Sequence, residues 1–68
     1  MKQAKKKYLV YYWDTFDNVT LLVGEADSLE KAKEIMRNKY GDRLSPIGAD
    51  QVDIVDLAGN VVHTEYVR

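Results

Sequence analysis

The stretch from Asp27 to Gly41 constrains the fold most, because it is the only clearly helical pattern in the 68 residues. Its apolar residues recur every three or four positions and form one stripe: Leu29, Ala32, Ile35, Met36 and Tyr40. Either Asp27 or Ser28 can cap its start. Gly41 is expected to adopt the left-handed conformation after the last turn. A single helix covers one surface, so the rest of the chain must supply what it packs against.

The segments on both sides of this helix have the composition of β-strands. They are Tyr8–Asp14, Val19–Val23, Val52–Leu57 and Val61–Val67. Turn-forming residues at Asp14–Asn18 and Ala58–Asn60 join them into two hairpins. The predicted fold is therefore an α+β, ββαββ two-layer sandwich, a four-stranded, mainly antiparallel sheet with one helix on one face. Leu44 and Ile47 are expected to close one edge of the core.

Length and composition predict one small domain with a polar extension. A chain of 68 residues is near the lower limit for a self-sufficient core, and without cysteine it has no disulfide to support it. Residues 1–7 are predicted to be a flexible basic tail, and residues 8–68 the folded domain. No apolar run has the length of a membrane span or of a signal-peptide core, so we expect a soluble, cytoplasmic protein.

The first strand is apolar or aromatic on both of its sides. One side carries Tyr8, Val10 and Tyr12, and the other carries Leu9, Tyr11 and Trp13. A strand that a helix covers on one side should be polar on its other side. Apolar and aromatic residues on both sides of the first strand therefore indicate a second surface that binds another molecule. Exposed tyrosines can also lie flat with their hydroxyls in water. The predicted interface residues are Tyr8, Leu9, Tyr11, Tyr12, Trp13 and Leu22.

The leading functional hypothesis is a small non-catalytic protein-interaction module. It would form a homodimer or dock another protein through its aromatic sheet face, since small domains commonly gain stability by oligomerising. Burying about 600 Å² of apolar surface per chain would contribute on the order of 15 kcal/mol before entropy losses.

An alternative follows from charge. Residues 8–68 contain six basic and eleven acidic residues, a formal charge of −5. A compact acidic protein could occupy the basic groove of a nucleic-acid-handling enzyme, as small phage-encoded inhibitors do. A phage protein is thus one hypothesis for its origin.

A third hypothesis is weak binding of RNA or DNA. The contacts would come from the aromatic strand residues and from the lysines of the tail, Lys2, Lys5, Lys6 and Lys7. Acidic residues are spread over the strands and turns, and Glu30 and Glu34 interrupt the basic side of the helix. This pattern differs from the continuous basic stripe of specific binders.

The sequence predicts no catalytic, metal or cofactor site. His63 shares a strand side with Val61, Glu65 and Val67, but no further member of a triad accompanies it. Gly24 before the helix is a single glycine beside acidic residues, which is unlike a phosphate loop. Two acidic sets lack the spacing of calcium loops: Asp14, Asp17 and Asn18, and Asp50, Asp53 and Asp56. We therefore expect a protein that is not an enzyme.

Overall fold

The computed structural model describes residues 6–68. Lys2 and Lys5 of the predicted tail lie outside this range, whereas Lys6 and Lys7 are exposed and precede the first strand. The elements are β1 (Tyr8–Asp14), β2 (Val19–Ala26), α1 (Leu29–Tyr40), a 3-10 turn (Gly41–Arg43), β3 (Asp50–Asp56) and β4 (Val61–Val67).

The four strands form one sheet in the order β2-β1-β3-β4, with every neighbouring pair antiparallel. With α1 on one face, this confirms the predicted α+β two-layer arrangement. The pairing of β1 with β3 joins the two hairpins at the centre of the sheet and leaves β2 and β4 as its edges. This central pairing could not be read from the sequence, because hairpin patterns specify only neighbours along the chain.

The helix begins as predicted but ends differently. Ser28 is the N-cap, because its Oγ accepts a hydrogen bond from the Lys31 amide at 3.2 Å. The prediction for Gly41 was wrong, since this residue has right-handed angles (φ −39°, ψ −58°). The chain tightens into the 3-10 turn, and the Leu44 amide donates to the carbonyl oxygens of Tyr40 (3.0 Å) and Gly41 (3.3 Å). These bonds satisfy terminal carbonyls without a left-handed residue.

The core lies between α1 and the sheet face that carries Val10 and Tyr12. Its buried residues are Val10, Tyr12, Ala26, Ala32, Met36, Val52, Ile54 and Val67. Gly24 allows the helix to approach β2, because an added Cβ would lie 3.1 Å from Ile35 Cγ2. Close packing accounts for this glycine without a phosphate ligand.

The loop after the 3-10 turn only partly matches the sequence-based expectation. Leu44 packs against the core and forms an isolated bridge with Val67. Ile47, in contrast, is 82% exposed, so its predicted place in the core was wrong. The Gly48 amide donates to the Ser45 carbonyl oxygen at 3.0 Å, which closes a tight turn with Ile47 at its outer corner.

Two β-bulges change the side on which residues project. One lies opposite the Val10–Tyr11 step and the other opposite the Ile54–Val55 step. Because of the second bulge, Val61 pairs with Val55 while His63 pairs with Ile54. Val61 therefore projects from the opposite face to His63, and the prediction that they share a side was wrong.

Candidate protein-binding surface

The sheet face opposite the helix consists of three rows of cross-strand neighbours, since directly paired residues in antiparallel strands project to the same side. In the order β2, β1, β3, β4, the rows are Glu25, Leu9, Val55 and Val61; Leu22, Tyr11, Asp53 and Thr64; and Thr20, Trp13, Gln51 and Tyr66. We call these twelve residues the open face. No helix or other strand covers it within residues 6–68.

Large apolar and aromatic side chains occupy much of the open face. Trp13 is 39% exposed, Leu22 52% and Tyr66 43%, whereas Leu9 and Tyr11 are half-buried by their neighbours in the sheet. Partly exposed apolar and aromatic side chains therefore lie on this face among five polar or charged ones.

A carboxylate lies in the middle of this face. Asp53 belongs to the central row and to a central strand, and it is half-buried. Its Oδ1 accepts hydrogen bonds from Gln51 Nε2 and Thr64 Oγ1, each at 2.9 Å. Its Oδ2 has no hydrogen-bond partner among residues 6–68. The side chain is therefore held in position with one acceptor oxygen available to a ligand.

The Trp13 ring is oriented by the turn between β1 and β2. Its Nε1 donates to Asn18 Oδ1 at 3.2 Å. Asn18 has a positive φ of 55°, which asparagine tolerates well, and Asp14 Oδ1 stabilises the same turn by accepting from the Phe16 and Asp17 amides. The indole thus keeps its position at one end of the open face.

The structure divides the predicted interface residues between the two faces. Leu9, Tyr11, Trp13 and Leu22 lie together on the open face. Tyr8 and Tyr12 require correction, because they project toward the helix, where Tyr12 is only 8% exposed and Tyr8 packs against the core. The alternation along β1 was correct, but the sequence did not reveal which side α1 covers.

Several open-face residues were missed by the sequence analysis. Gln51, Asp53, Thr64 and Tyr66 join the aromatic residues of β1 only through the pairing of β1 with β3. From the sequence, Asp53 counts only among the acidic residues that lack metal-ligand spacing and that oppose nucleic-acid binding. Its alternation with Val52 and Ile54 was the available signal that it projects away from the core.

On the helix side, Tyr12 forms a polar cluster at the end of β1. Its hydroxyl donates to Asp50 Oδ2, and Asp50 Oδ1 accepts from the Thr15 amide (3.0 Å) and Thr15 Oγ1 (2.9 Å). The Tyr12 ring lies 4.9 Å from that of Tyr40. Burial and the hydrogen bond to Asp50 raise the pKa of Tyr12 to about 12. The Tyr12 and Thr15 bonds lower the pKa of Asp50. This cluster links β1 to the start of β3.

The remaining candidate catalytic and metal-binding side chains do not lie together in the structure. His63 Nε2 lies 2.8 Å from Glu65 Oε2 on the helix side of β4. In β3, Asp50 and Asp56 lie on the helix side and Asp53 on the open face, so their carboxylates do not converge. Within residues 6–68, no group of three or more His, Cys, Asp or Glu side chains could hold a metal ion.

Comparison of the chain with protein-family models, with curated proteins and with solved structures finds no match. In the described part of the chain, no helix is long and apolar enough to cross a membrane.

Proposed function

We propose that this protein is a small, non-catalytic module that binds a basic partner protein through its open face. The observation that carries the proposal is Asp53, a carboxylate fixed by Gln51 and Thr64 at the centre of an otherwise largely apolar and aromatic surface. A lysine or arginine of the partner would pair with Asp53 Oδ2. Apolar partner residues would pack on Leu9 and Leu22.

The aromatic neighbours of Asp53 favour the same partner chemistry. Tyr11 lies directly opposite Asp53 on the adjacent strand. A cation that approaches Asp53 would also approach the Tyr11 ring, and cation–π attraction adds to a charge-assisted hydrogen bond. Arginine suits this arrangement best, because its planar group can stack on a ring while its N–H groups donate to a carboxylate.

Packing of two copies through their open faces is less favourable. A two-fold axis through the centre of the face would bring the two Asp53 carboxylates close together as water is excluded. Like charges in a desolvated interface oppose association, and neither carboxylate would gain a positively charged partner, because the open face carries no lysine or arginine. The predicted homodimer through the aromatic face is therefore not the interaction that we propose for this surface.

The charge of the whole domain supports a basic partner. The −5 formal charge of residues 8–68 would steer a positively charged surface toward the protein. The groove of a nucleic-acid-handling enzyme is one surface of this kind, so the acidic-inhibitor hypothesis is a special case of the proposal. Direct binding of nucleic acid is disfavoured on the open face, because Asp53 and Glu25 would repel phosphates.

The test uses a synthetic peptide of alternating leucine and arginine residues, titrated against the protein and followed by Trp13 fluorescence. Asp53→Asn keeps a carbonyl oxygen for Gln51 and Thr64 but removes the charge, and we expect it to weaken binding roughly 10- to 100-fold. The matched control is Glu34→Gln, which removes one charge from the exposed side of the helix. We expect it to weaken binding less than about threefold.

Two further ligands make the result decisive. A leucine–glutamate peptide of equal length should bind far more weakly than the leucine–arginine peptide. Equal weakening by Asp53→Asn and Glu34→Gln, or no binding of the basic peptide, would overturn the proposal. Tighter binding of single-stranded RNA than of the basic peptide would do so as well, in favour of the nucleic-acid hypothesis.

A further inference from the structure

The two edges of the sheet differ in how they are protected. At β4, the segment 43–45 runs beside the end of the strand. The Ser45 amide donates to the Tyr66 carbonyl oxygen (2.8 Å), and the Arg68 amide donates to that of Arg43 (2.9 Å). At the β2 edge, no segment within residues 6–68 pairs with the outward-facing backbone groups.

The β2 edge also lacks the side chains that discourage pairing with another strand. From Val19 to Gly24 it contains no charged residue and no proline. Natural edge strands commonly carry lysine, proline or a bulge that prevents strand addition. The bulge in β2 lies at Val23, so only Val19 to Leu22 pair with β1 in consecutive register before it. A regular, uncharged stretch of edge is left exposed.

Apolar side chains are exposed on both sides of this edge. Leu22 belongs to the open face and is 52% exposed. Leu21 pairs with Tyr12 and so projects to the helix side, yet it is 54% exposed. The helix approaches β2 near Gly24, beyond Leu21, and leaves this part of the strand uncovered. An additional strand beside β2 would reduce the solvent exposure of both leucines. A partner on one face alone would cover only one of them.

We propose that the β2 edge pairs with the β2 edge of a second copy, so that two sheets join into one. The sequence of β2 is compatible with antiparallel pairing about a two-fold axis at Leu21. In that register Thr20 faces Leu22 of the other copy and Leu21 faces itself, while Val19 lies opposite the bulged residue Val23. Every pair from Val19 to Val23 is uncharged, so a second copy brings no charge repulsion into the ladder.

This inference does not depend on the proposed function, because the edge contact involves only Leu22 of the proposed partner contacts and leaves Asp53, Leu9 and the aromatic part of the open face accessible. The joined sheet would place two open faces side by side and both helices on the opposite side. A short ladder gives a small interface, so we expect a weak, concentration-dependent dimer.

The test is sedimentation velocity of the full chain from about 1 µM to about 1 mM, a range that covers weak association. Leu21→Lys would place two like charges at the axis and should abolish the dimer. The protein should still fold, because this side chain is already half exposed. Leu57→Lys makes the same change in the exposed β3–β4 turn and should dimerise like the wild type.

Hydrogen exchange gives a second readout. In the wild type, alternate amides of residues 19–23 should exchange more slowly at high concentration than after dilution. A wild type that stays monomeric throughout the range, or a Leu21→Lys variant that associates normally, would overturn the inference. We expect the Asp53→Asn variant to dimerise like the wild type. Loss of the dimer in this variant would place the contact on the open face and would also overturn the inference.

Discussion

The two faces of the sheet use the same first strand for different purposes. On β1 both sides are apolar or aromatic, but the adjacent residues of β3 differ. Val52 and Ile54 project toward the helix and are fully buried, while Gln51 and Asp53 project to the open face. The central partner strand β3, rather than β1 itself, therefore distinguishes the face that stabilises the fold from the open face, which is the one proposed to bind a partner.

The largest expected difference in stability is between two valine-to-alanine substitutions in β3, one on each face of the sheet. Val52→Ala removes two methyl groups from a fully buried site, and we expect it to lower the free energy of unfolding by about 2–3 kcal/mol. Val55→Ala makes the same change on the open face and should lower it by less than about 1 kcal/mol. Urea denaturation measures both values. Equal losses would show that the open face is also part of the folding core.

A smaller difference in stability is expected between alanine substitutions of two glycines, one in β2 beside the helix and one at the end of α1. Gly24→Ala places a methyl group 3.1 Å from Ile35 Cγ2, and we expect a loss of about 1–2 kcal/mol as α1 shifts outward. Gly41→Ala should instead be neutral or stabilise by about 0.5–1 kcal/mol, because Gly41 is right-handed and an added Cβ has open space.

Thermal unfolding of the two glycine variants checks this prediction. If Gly24→Ala were as stable as the wild type, close approach of helix and strand would not explain the glycine. Destabilisation by Gly41→Ala would argue for a left-handed conformation at this position and against the observed helix end.

The smallest expected effect is a dependence of the protein's stability on pH, which arises from Tyr12 and Asp50 on the helix-side face. The raised pKa of Tyr12, about 12, means that its contribution to stability is complete below pH 10 and is lost as the pH rises through about 12. The lowered pKa of Asp50 means that its contribution is present above its ordinary pKa and is lost as the pH falls through the lowered value.

Tyr12→Phe should reduce both dependences, because it removes the ionisable hydroxyl and the main hydrogen bond to Asp50. Some alkaline loss should persist, since burial also raises the pKa of Tyr40. Melting temperatures from acid to alkaline pH provide the measurement, with the open-face variant Tyr66→Phe as control. If the melting temperature of Tyr12→Phe varied with pH as that of the wild type does, ionisation of Tyr12 and Asp50 would make no contribution to stability.

Sequence periodicity was sufficient for features determined by local residues. It located the apolar stripe of α1, the strands and the alternation along β1, because each follows from the 3.6- or two-residue repeat. Its errors have local causes: hydrogen bonds from Leu44 replace a left-handed cap at Gly41, and a tight turn holds Ile47 outward.

The proposed binding surface depends on non-local information. Tyr11 and Asp53 are 42 positions apart in the sequence, and only the β1–β3 register makes them neighbours. Neither residue in isolation predicts a basic partner. The bulge near Val61 likewise shifts one edge of the face by a residue, which the regular alternation of β4 could not anticipate.

If the face without the helix binds the partner, with Asp53 at the centre of the contact, a basic ligand should perturb that face. The most direct measurement is a map of NMR chemical-shift changes in the full chain as the leucine–arginine peptide is added. We expect the changes to concentrate at Tyr11, Trp13 Nε1 and the Asp53 amide, and to be much smaller at these sites in Asp53→Asn. Changes centred on the exposed side of α1, around Glu30 and Glu34, would instead place the binding site on the helix and contradict a role for Asp53.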